Sequence, residues 1–157
     1  MKIIIKSLFI ITVILFLSIV SQAKLGEAES TIQSDLVEQQ FEKSEKTLAS
    51  DSGPSFLVHT LTRKHSHIRE YLNQDGKIFA VVWSGQVHPD LNKLLGSYYA
   101  EFHKEAKRLH VRRRGQGPEI TQTPQVLVHR SGHMRSVVGK AICLSLVPKN
   151  FDLSNLK

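Results

Sequence analysis

The chain has 157 residues, with 21 lysines and arginines against 14 aspartates and glutamates, and a single cysteine. One cysteine excludes an internal disulfide, so the folded part has to be stabilised by its hydrophobic core. The modest basic excess favours anionic partners without identifying one.

Residues 1–23 have the three regions of a signal peptide. Lys2 and Lys6 provide a positive start, residues 7–20 form an uncharged apolar run, and a cleavage site of small residues ends at Ala23. The apolar run is shorter than the roughly 20 residues that a membrane-spanning helix needs. We therefore expect export to the periplasm or the medium after cleavage near Ala23. The alternative is an uncleaved leader that anchors the protein in the membrane.

The chain after the leader divides into a polar segment, one folded domain and a tail. Residues 24–55 are polar, and a weak helical stripe predicts a helix over about Thr31–Ala49. The turn-forming residues from Asp51 to Pro54 end this helix. We expect a single α+β domain over residues 56–148 and a C-terminal tail over residues 149–157.

Alternating apolar residues predict an antiparallel sheet of about five strands, as a three-stranded meander and a C-terminal hairpin. The third strand of the meander is apolar on both faces, which is typical of a central, covered strand. Asp75-Gly76 is expected to turn the chain before it, and Ser131-Gly132 to turn the later hairpin. The strand patterns cover Phe56–Arg63, His67–Leu72, Lys77–Ser84, Glu119–Thr123, Gln125–Arg130 and Met134–Leu146.

One long amphipathic helix is predicted between the meander and the hairpin, from about Pro89 to His110. Its apolar residues recur at helical spacing: Leu91, Leu94, Leu95, Tyr98, Phe102, Ala106 and Leu109. Gly96 costs roughly 1 kcal/mol inside a helix relative to alanine. We expect it to allow a close approach of the helix to the sheet over Trp83. The predicted fold is thus α+β, with this helix packed on one face of the sheet and a weaker N-terminal helix.

The chain resembles the bacterial exported family filed as domain of unknown function 2844. The resemblance rests on short motifs spread over most of the chain after the leader: Lys24-Leu25-Gly26, Arg69-Glu70-Tyr71, Gly76-Lys77-Ile78-Phe79-Ala80-Val81, Trp83-Ser84-Gly85, Pro89-Asp90-Leu91, Leu94-Leu95-Gly96, Ser131-Gly132-His133-Met134-Arg135 and Gly139-Lys140-Ala141. At its first motif the family usually has alanine where this chain has Lys24. The resemblance implies export and a small single domain, and it implies no activity.

No established catalytic or metal-binding motif is present. Cys143 lies in an apolar strand pattern, so we interpret it as a small buried hydrophobe and not as a nucleophile. Two pairs of histidines, His65 with His67 and His129 with His133, lack the further ligands and spacing of a zinc site. We expect no cofactor and no metal. The favoured function is a non-catalytic binding or envelope-associated accessory domain; the alternative is an enzyme with an unrecognised site that acts on an envelope polymer.

Two groups of residues are candidates for binding. Arg69, Tyr71 and Trp83 could form a shallow polar and aromatic platform, although we favour a structural role in which Trp83 is buried under the helix. A basic cluster that includes Arg112, Arg113 and Arg114 follows the helix. It could adhere to an anionic envelope surface or an envelope protein. Nucleic acid is not an expected partner for an exported protein.

Overall fold

Seven strands form one antiparallel sheet within residues 25–28, 43–49, 55–112 and 117–156, the ranges that this computed structural model describes. The strand order is β1-β2-β3-β4-β7-β6-β5. The strands are β1 (Lys43–Ala49), β2 (Phe56–Arg63), β3 (Ser66–Leu72), β4 (Ile78–Gly85), β5 (Glu119–Gln122), β6 (Val126–His133) and β7 (Ser136–Cys143). The predicted α+β class is confirmed, with more strands than the expected five or so.

Strand β4 lies at the centre of this sheet. Strands β1 to β4 form a meander, and β7 then pairs antiparallel with β4 from the other side. Residues on both faces of β4 are buried, since Val81 and Trp83 pack under the helices while Phe79 and Ala80 pack on the opposite face. The two-sided apolar pattern of this segment had predicted such a position.

Two helices joined by a 3-10 turn cover one face of the sheet: α1 (Leu91–Leu95), the turn Gly96–Tyr98, and α2 (Tyr99–Arg112). The Asp90 carboxylate caps α1, accepting a 2.9 Å hydrogen bond from the Asn92 N–H. The predicted long helix is therefore confirmed from Leu91 onward, and the 3-10 turn interrupts it once. The break occurs at Gly96, whose φ of 52° and ψ of −120° are accessible to glycine and costly for other residues.

The C-terminal residues cover part of the other face. Phe151 packs edge-on against Phe56 and Phe79, with 5.0 Å between ring centroids in each pair. Leu156 is buried in the same cluster. The predicted tail thus includes residues that close part of this face of the sheet.

Two local predictions fail in the described residues. Lys43–Ala49, the end of the predicted N-terminal helix, is strand β1 in full register with β2, because backbone pairing overrides a weak local helical preference. The rest of that predicted helix lies outside the described residues. The last hairpin turns at Met134 and Arg135, both with positive φ, so strand β6 continues through Ser131-Gly132.

An irregularity at Tyr71 and Leu72 shifts the register between β3 and β4, because Tyr71 pairs with Ala80 while Leu72 pairs with Ile78. The shift places Phe79 on the same face as Ala80, whereas regular alternation had placed it with Val81 and Trp83. No helix in the described ranges has the length and apolar character needed to cross a bilayer.

Candidate functional site

The part of the tail-covered face beyond the C-terminal residues carries a groove of about 440 Å³, which we call the basic groove. It runs across β3, β4, β7 and β6 and ends at Leu156. Its lining consists of His67, Arg69, Val82, Trp83, Ser84, His129, Val138, Gly139, Lys140 and Leu156. None of these residues is acidic. The groove therefore combines positive charge, imidazoles and a hydroxyl with an apolar floor.

Strand register brings the charged side chains of the groove into one row. Arg69 on β3 pairs with Val82 on β4, Val82 pairs with Lys140 on β7, and Lys140 pairs with His129 on β6. Since facing residues of paired strands project from the same side of a sheet, all four side chains lie on one face. Arg69 is exposed, and Lys140 and His129 are partly buried.

A second row lies two residues along each strand. It contains His67, which pairs with Ser84, and Val138, which also pairs with Ser84 from the other side. Val138 is 50% exposed, a large value for an apolar side chain in the middle of a sheet. The Nδ1 atom of His67 lies 3.4 Å from the Thr62 hydroxyl, which fixes no tautomer for the imidazole.

The predicted platform of Arg69, Tyr71 and Trp83 is not formed, because Arg69 and Tyr71 share one face of the sheet and Trp83 lies on the other. Arg69 lines the basic groove, whereas Tyr71 is 4% exposed and packs in the cluster that contains the C-terminal residues. Trp83 pairs with Ile68 and has its side chain in the cluster under the helices. The three residues therefore do not present one aromatic surface.

Trp83 is 2% exposed, which confirms that it is buried beneath the helices. Its indole N–H donates a 3.0 Å hydrogen bond to Nδ1 of His88. Burial, aided by the charge of Arg130, lowers the pKa of His88, which favours the neutral ring that can accept this bond. Gly139 makes room for the indole, because a Cβ added there would clash with the ring. The close approach at Gly96 over Trp83 stays a prediction.

The basic cluster at the end of α2 is described only in part. Lys104 and Lys107 are exposed, and Arg108 forms an ion pair with Glu105. Arg112 ends the helix, while Arg113 and Arg114 lie outside the described residues. Adhesion through Arg112, Arg113 and Arg114 stays a prediction.

Cys143 has no exposed surface, as predicted for a buried hydrophobe. Its sulfur lies 3.5 Å from the Tyr98 hydroxyl and 3.4 Å from the Ser145 hydroxyl. The contact with Cys143, together with burial, raises the pKa of Tyr98 to about 12. This thiol therefore belongs to the packing between the helices and the sheet and not to a surface site.

A second cavity of about 560 Å³ adjoins the basic groove at the tip of the β2–β3 hairpin. It shares His67, Trp83 and Ser84 with the groove, and His65, His88 and Asp90 also line it. Across the described ranges, no three histidine, cysteine or acidic side chains are grouped so that they could hold a metal ion. The cavity is an extension of the groove with one acidic residue at its rim.

Sequence reasoning missed Lys140, His129, His67 and Ser84 as members of one site. The alternation of each strand could have indicated which residues share a face, for example Lys140 with Val138 and Ile142. Such a pattern assigns residues to a face within one strand only. It does not show that β7 pairs with β4, which is what brings Lys140 two strands from Arg69.

The model of a protein family described as a protein of unknown function, DUF2844, matches residues 21–156. The match covers the polar N-terminal segment, the whole sheet, both helices and the C-terminal residues that close the second face. No curated protein and no solved structure matches the chain.

Proposed function

We propose that this chain, which belongs to the DUF2844 family of proteins of unknown function, is an exported, non-catalytic binding domain whose ligand is anionic. The observation that carries the proposal is the basic groove. Its described lining holds Arg69, Lys140 and two histidines around an apolar floor, and no carboxylate. A concave site with a few polar groups over an apolar floor is the usual form of a small-ligand site.

Charge is the property that distinguishes this groove from an ordinary open sheet face. Its described lining includes Arg69 and Lys140 and no acidic residue. A cleft lined by one sign of charge with apolar walls focuses the field and raises the local concentration of counter-ions. Arg69 adds a planar guanidinium, which binds carboxylates and phosphates through two parallel hydrogen bonds.

The groove lining favours binding over catalysis. Glycoside hydrolysis needs two carboxyl groups that flank the scissile bond, and the described lining has none. His67 faces Ser84 across the β3–β4 pair, but a serine nucleophile is activated by an imidazole that a third group orients, commonly a carboxylate. The neighbour found at His67 Nδ1 is the Thr62 hydroxyl, at 3.4 Å.

Export and association with the cell envelope are part of the proposal and rest on the leader. The charged, apolar and small-residue regions of residues 1–23 occur in the order that signal peptidase recognises. We expect the protein isolated from its host to begin at Lys24. Intact-mass spectrometry checks this, and a membrane-bound protein that retains Met1 would establish the anchored alternative.

The experiment that tests the binding proposal compares two charge-matched variants on a sulfated polysaccharide column. Arg69→Gln with Lys140→Gln removes two positive charges from the groove, and Lys104→Gln with Lys107→Gln removes two from the exposed side of α2. We expect the groove variant to elute at a clearly lower salt concentration than the wild type, with the helix variant close to the wild type. Equal shifts for the two variants would mean that only net charge matters, and would reject the groove as the site.

A further inference from the structure

Three turns lie side by side at one end of the sheet. Residues 64–65 connect β2 to β3, residues 134–135 connect β6 to β7, and the loop of residues 86–88 follows β4 between them. All three lie at the same end, because Gly85, the last residue of β4, pairs with the first residue of β3 and with the second residue of β7. We call these three turns, with the residues on either side of each, the sheet end.

The two most exposed large apolar side chains of the described residues both belong to the sheet end. Met134 is 96% exposed, and Val87 is 74% exposed. Apolar residues scattered singly over a surface are ordinary, whereas apolar side chains that project together from one end indicate a surface that meets a partner.

The β6–β7 turn has an unfavourable backbone for the residues that form it. Met134 has a φ of 35° and Arg135 a φ of 67°, the left-handed region in which two-residue hairpin turns strongly prefer asparagine and glycine. Packing within the protein does not offset this strain, because the Met134 side chain is almost fully exposed. A strained, unpacked side chain at a turn points to a role in contact with another molecule.

The sheet end is positively charged. Lys64 and Arg135 are exposed in its two outer turns, and neither forms an ion pair within the part of the chain that the structure describes. The three turns contain no aspartate or glutamate. The nearest acidic residue in sequence, Asp90, uses its carboxylate to cap α1. Two cations thus flank two projecting apolar side chains.

This combination fits an anionic lipid surface better than a protein partner. A stable protein interface buries about 800 Å² on each partner and packs a continuous core. The sheet end offers separate tips instead, since three strand spacings, roughly 14 Å, separate the middles of the two hairpins. At a bilayer, separate apolar side chains can enter the boundary between headgroups and acyl chains while cations pair with anionic headgroups.

We propose that the sheet end docks the protein on an anionic phospholipid surface, with Met134 and Val87 entering the headgroup layer and Lys64 and Arg135 contacting lipid phosphates. The basic groove lies on a face of the sheet and not at its end, so it takes no part in this docking. The inference rests on the export and envelope association in the proposed function, for which it names the surface and the partner.

The test is co-sedimentation of the full mature chain with vesicles of phosphatidylglycerol and phosphatidylcholine in equal parts, and with vesicles of phosphatidylcholine alone. We expect binding to the anionic vesicles that falls as salt rises, and little binding to the neutral ones. Lys64→Gln with Arg135→Gln should weaken binding by roughly fivefold for each charge removed. Lys104→Gln with Lys107→Gln removes the same charge from exposed positions on α2 and should leave binding nearly unchanged.

The apolar contribution has a matched pair of variants and a direct probe. Met134→Ser should weaken binding by roughly tenfold, because the methionine side chain leaves water on docking, whereas Ile120→Ser, at an exposed position on β5, should have no effect. The only native cysteine, Cys143, is fully buried, so Met134→Cys directs a fluorescent label to the turn. Emission from an environment-sensitive label there should shift to the blue with anionic vesicles, and a label at Ile120→Cys should not shift.

Four results would overturn the sheet end as the docking surface. They are no binding of the wild type to anionic vesicles at low salt, an unshifted label at residue 134, equal weakening by the two double charge variants, and loss of binding only on joint replacement of Arg112, Arg113 and Arg114 by glutamine. The last result would assign adhesion to the end of α2. Retention on the sulfated column depends on the groove residues, so it tests the proposed anion site separately. Thermal unfolding of each variant shows whether the fold is kept.

Discussion

Replacing Trp83 by alanine is expected to lower the free energy of unfolding by about 3–5 kcal/mol, the range for truncating a large aromatic residue in a core. Trp83 is 2% exposed, packs in the cluster beneath α1 and α2, and contacts Gly139 on the neighbouring strand. Its truncation would leave a cavity between the sheet and the helices, and would remove the hydrogen bond to His88. Urea unfolding measures the change.

Two further variants, Trp83→Phe and Val87→Ala, serve as controls for Trp83→Ala. Trp83→Phe keeps an aromatic ring and loses the hydrogen bond to His88, so it should cost clearly less than Trp83→Ala. Val87 is 74% exposed in the following loop, and Val87→Ala should change stability by less than about 0.5 kcal/mol. If Trp83→Ala lowers the free energy of unfolding by less than about 1 kcal/mol, the value falls below the range for buried aromatic residues, and the indole is not packed in the core.

Replacing Phe151 by alanine is expected to cost about 3 kcal/mol, the lower end of the range for buried phenylalanines, because this ring is only partly buried. Its ring lies edge-on to Phe56 and to Phe79 at 5.0 Å in each case. Edge-on aromatic pairs add about 0.5–1.5 kcal/mol beyond the area that they bury. Thermal and urea unfolding both report the loss.

The matched control is Asn155→Ala, because Asn155 is exposed in the same C-terminal segment. Its replacement should leave the unfolding midpoint nearly unchanged. If Phe151→Ala behaves like this control, the C-terminal residues do not close the sheet face in solution. The end of the basic groove at Leu156 would then be open as well.

Local sequence patterns predicted most of the sheet and the helical face. Strands β2 to β4 are where alternation and the Asp75-Gly76 turn placed them, and the helical stripe is buried at Leu94, Leu95 and Phe102. These features depend on residues close together in the chain. Hydrophobic periodicity reports them directly.

The failures occur where long-range contacts decide the structure. Strand β1 contains Lys43, Glu45 and Lys46, residue types that favour helices, and forms a strand because it pairs with β2. The bulge at Tyr71 and Leu72 moves Phe79 to the opposite face, which no period-2 pattern can show.

The groove could not be predicted for the same reason. The sequence grouped Arg69 with Tyr71 and Trp83, but Tyr71 is buried in the cluster that contains the C-terminal residues and Trp83 lies on the opposite face of the sheet. The residues that do join it come from β6 and β7, some 60 to 70 positions along the chain. Composition and residue spacing do not predict that β7 pairs with β4, because this pairing joins segments far apart in the chain.

The binding site that we propose for anionic ligands is the basic groove and not the basic end of α2. The most direct measurement is an NMR titration of the isotope-labelled mature chain with a short sulfated oligosaccharide, followed at each backbone amide. We expect the largest saturable shifts at residues 67–69, 82–84, 129 and 138–140, with small shifts at residues 104–114. Saturable shifts concentrated at residues 104–114, with the groove amides unmoved, would reject the groove and make the helix end the binding surface.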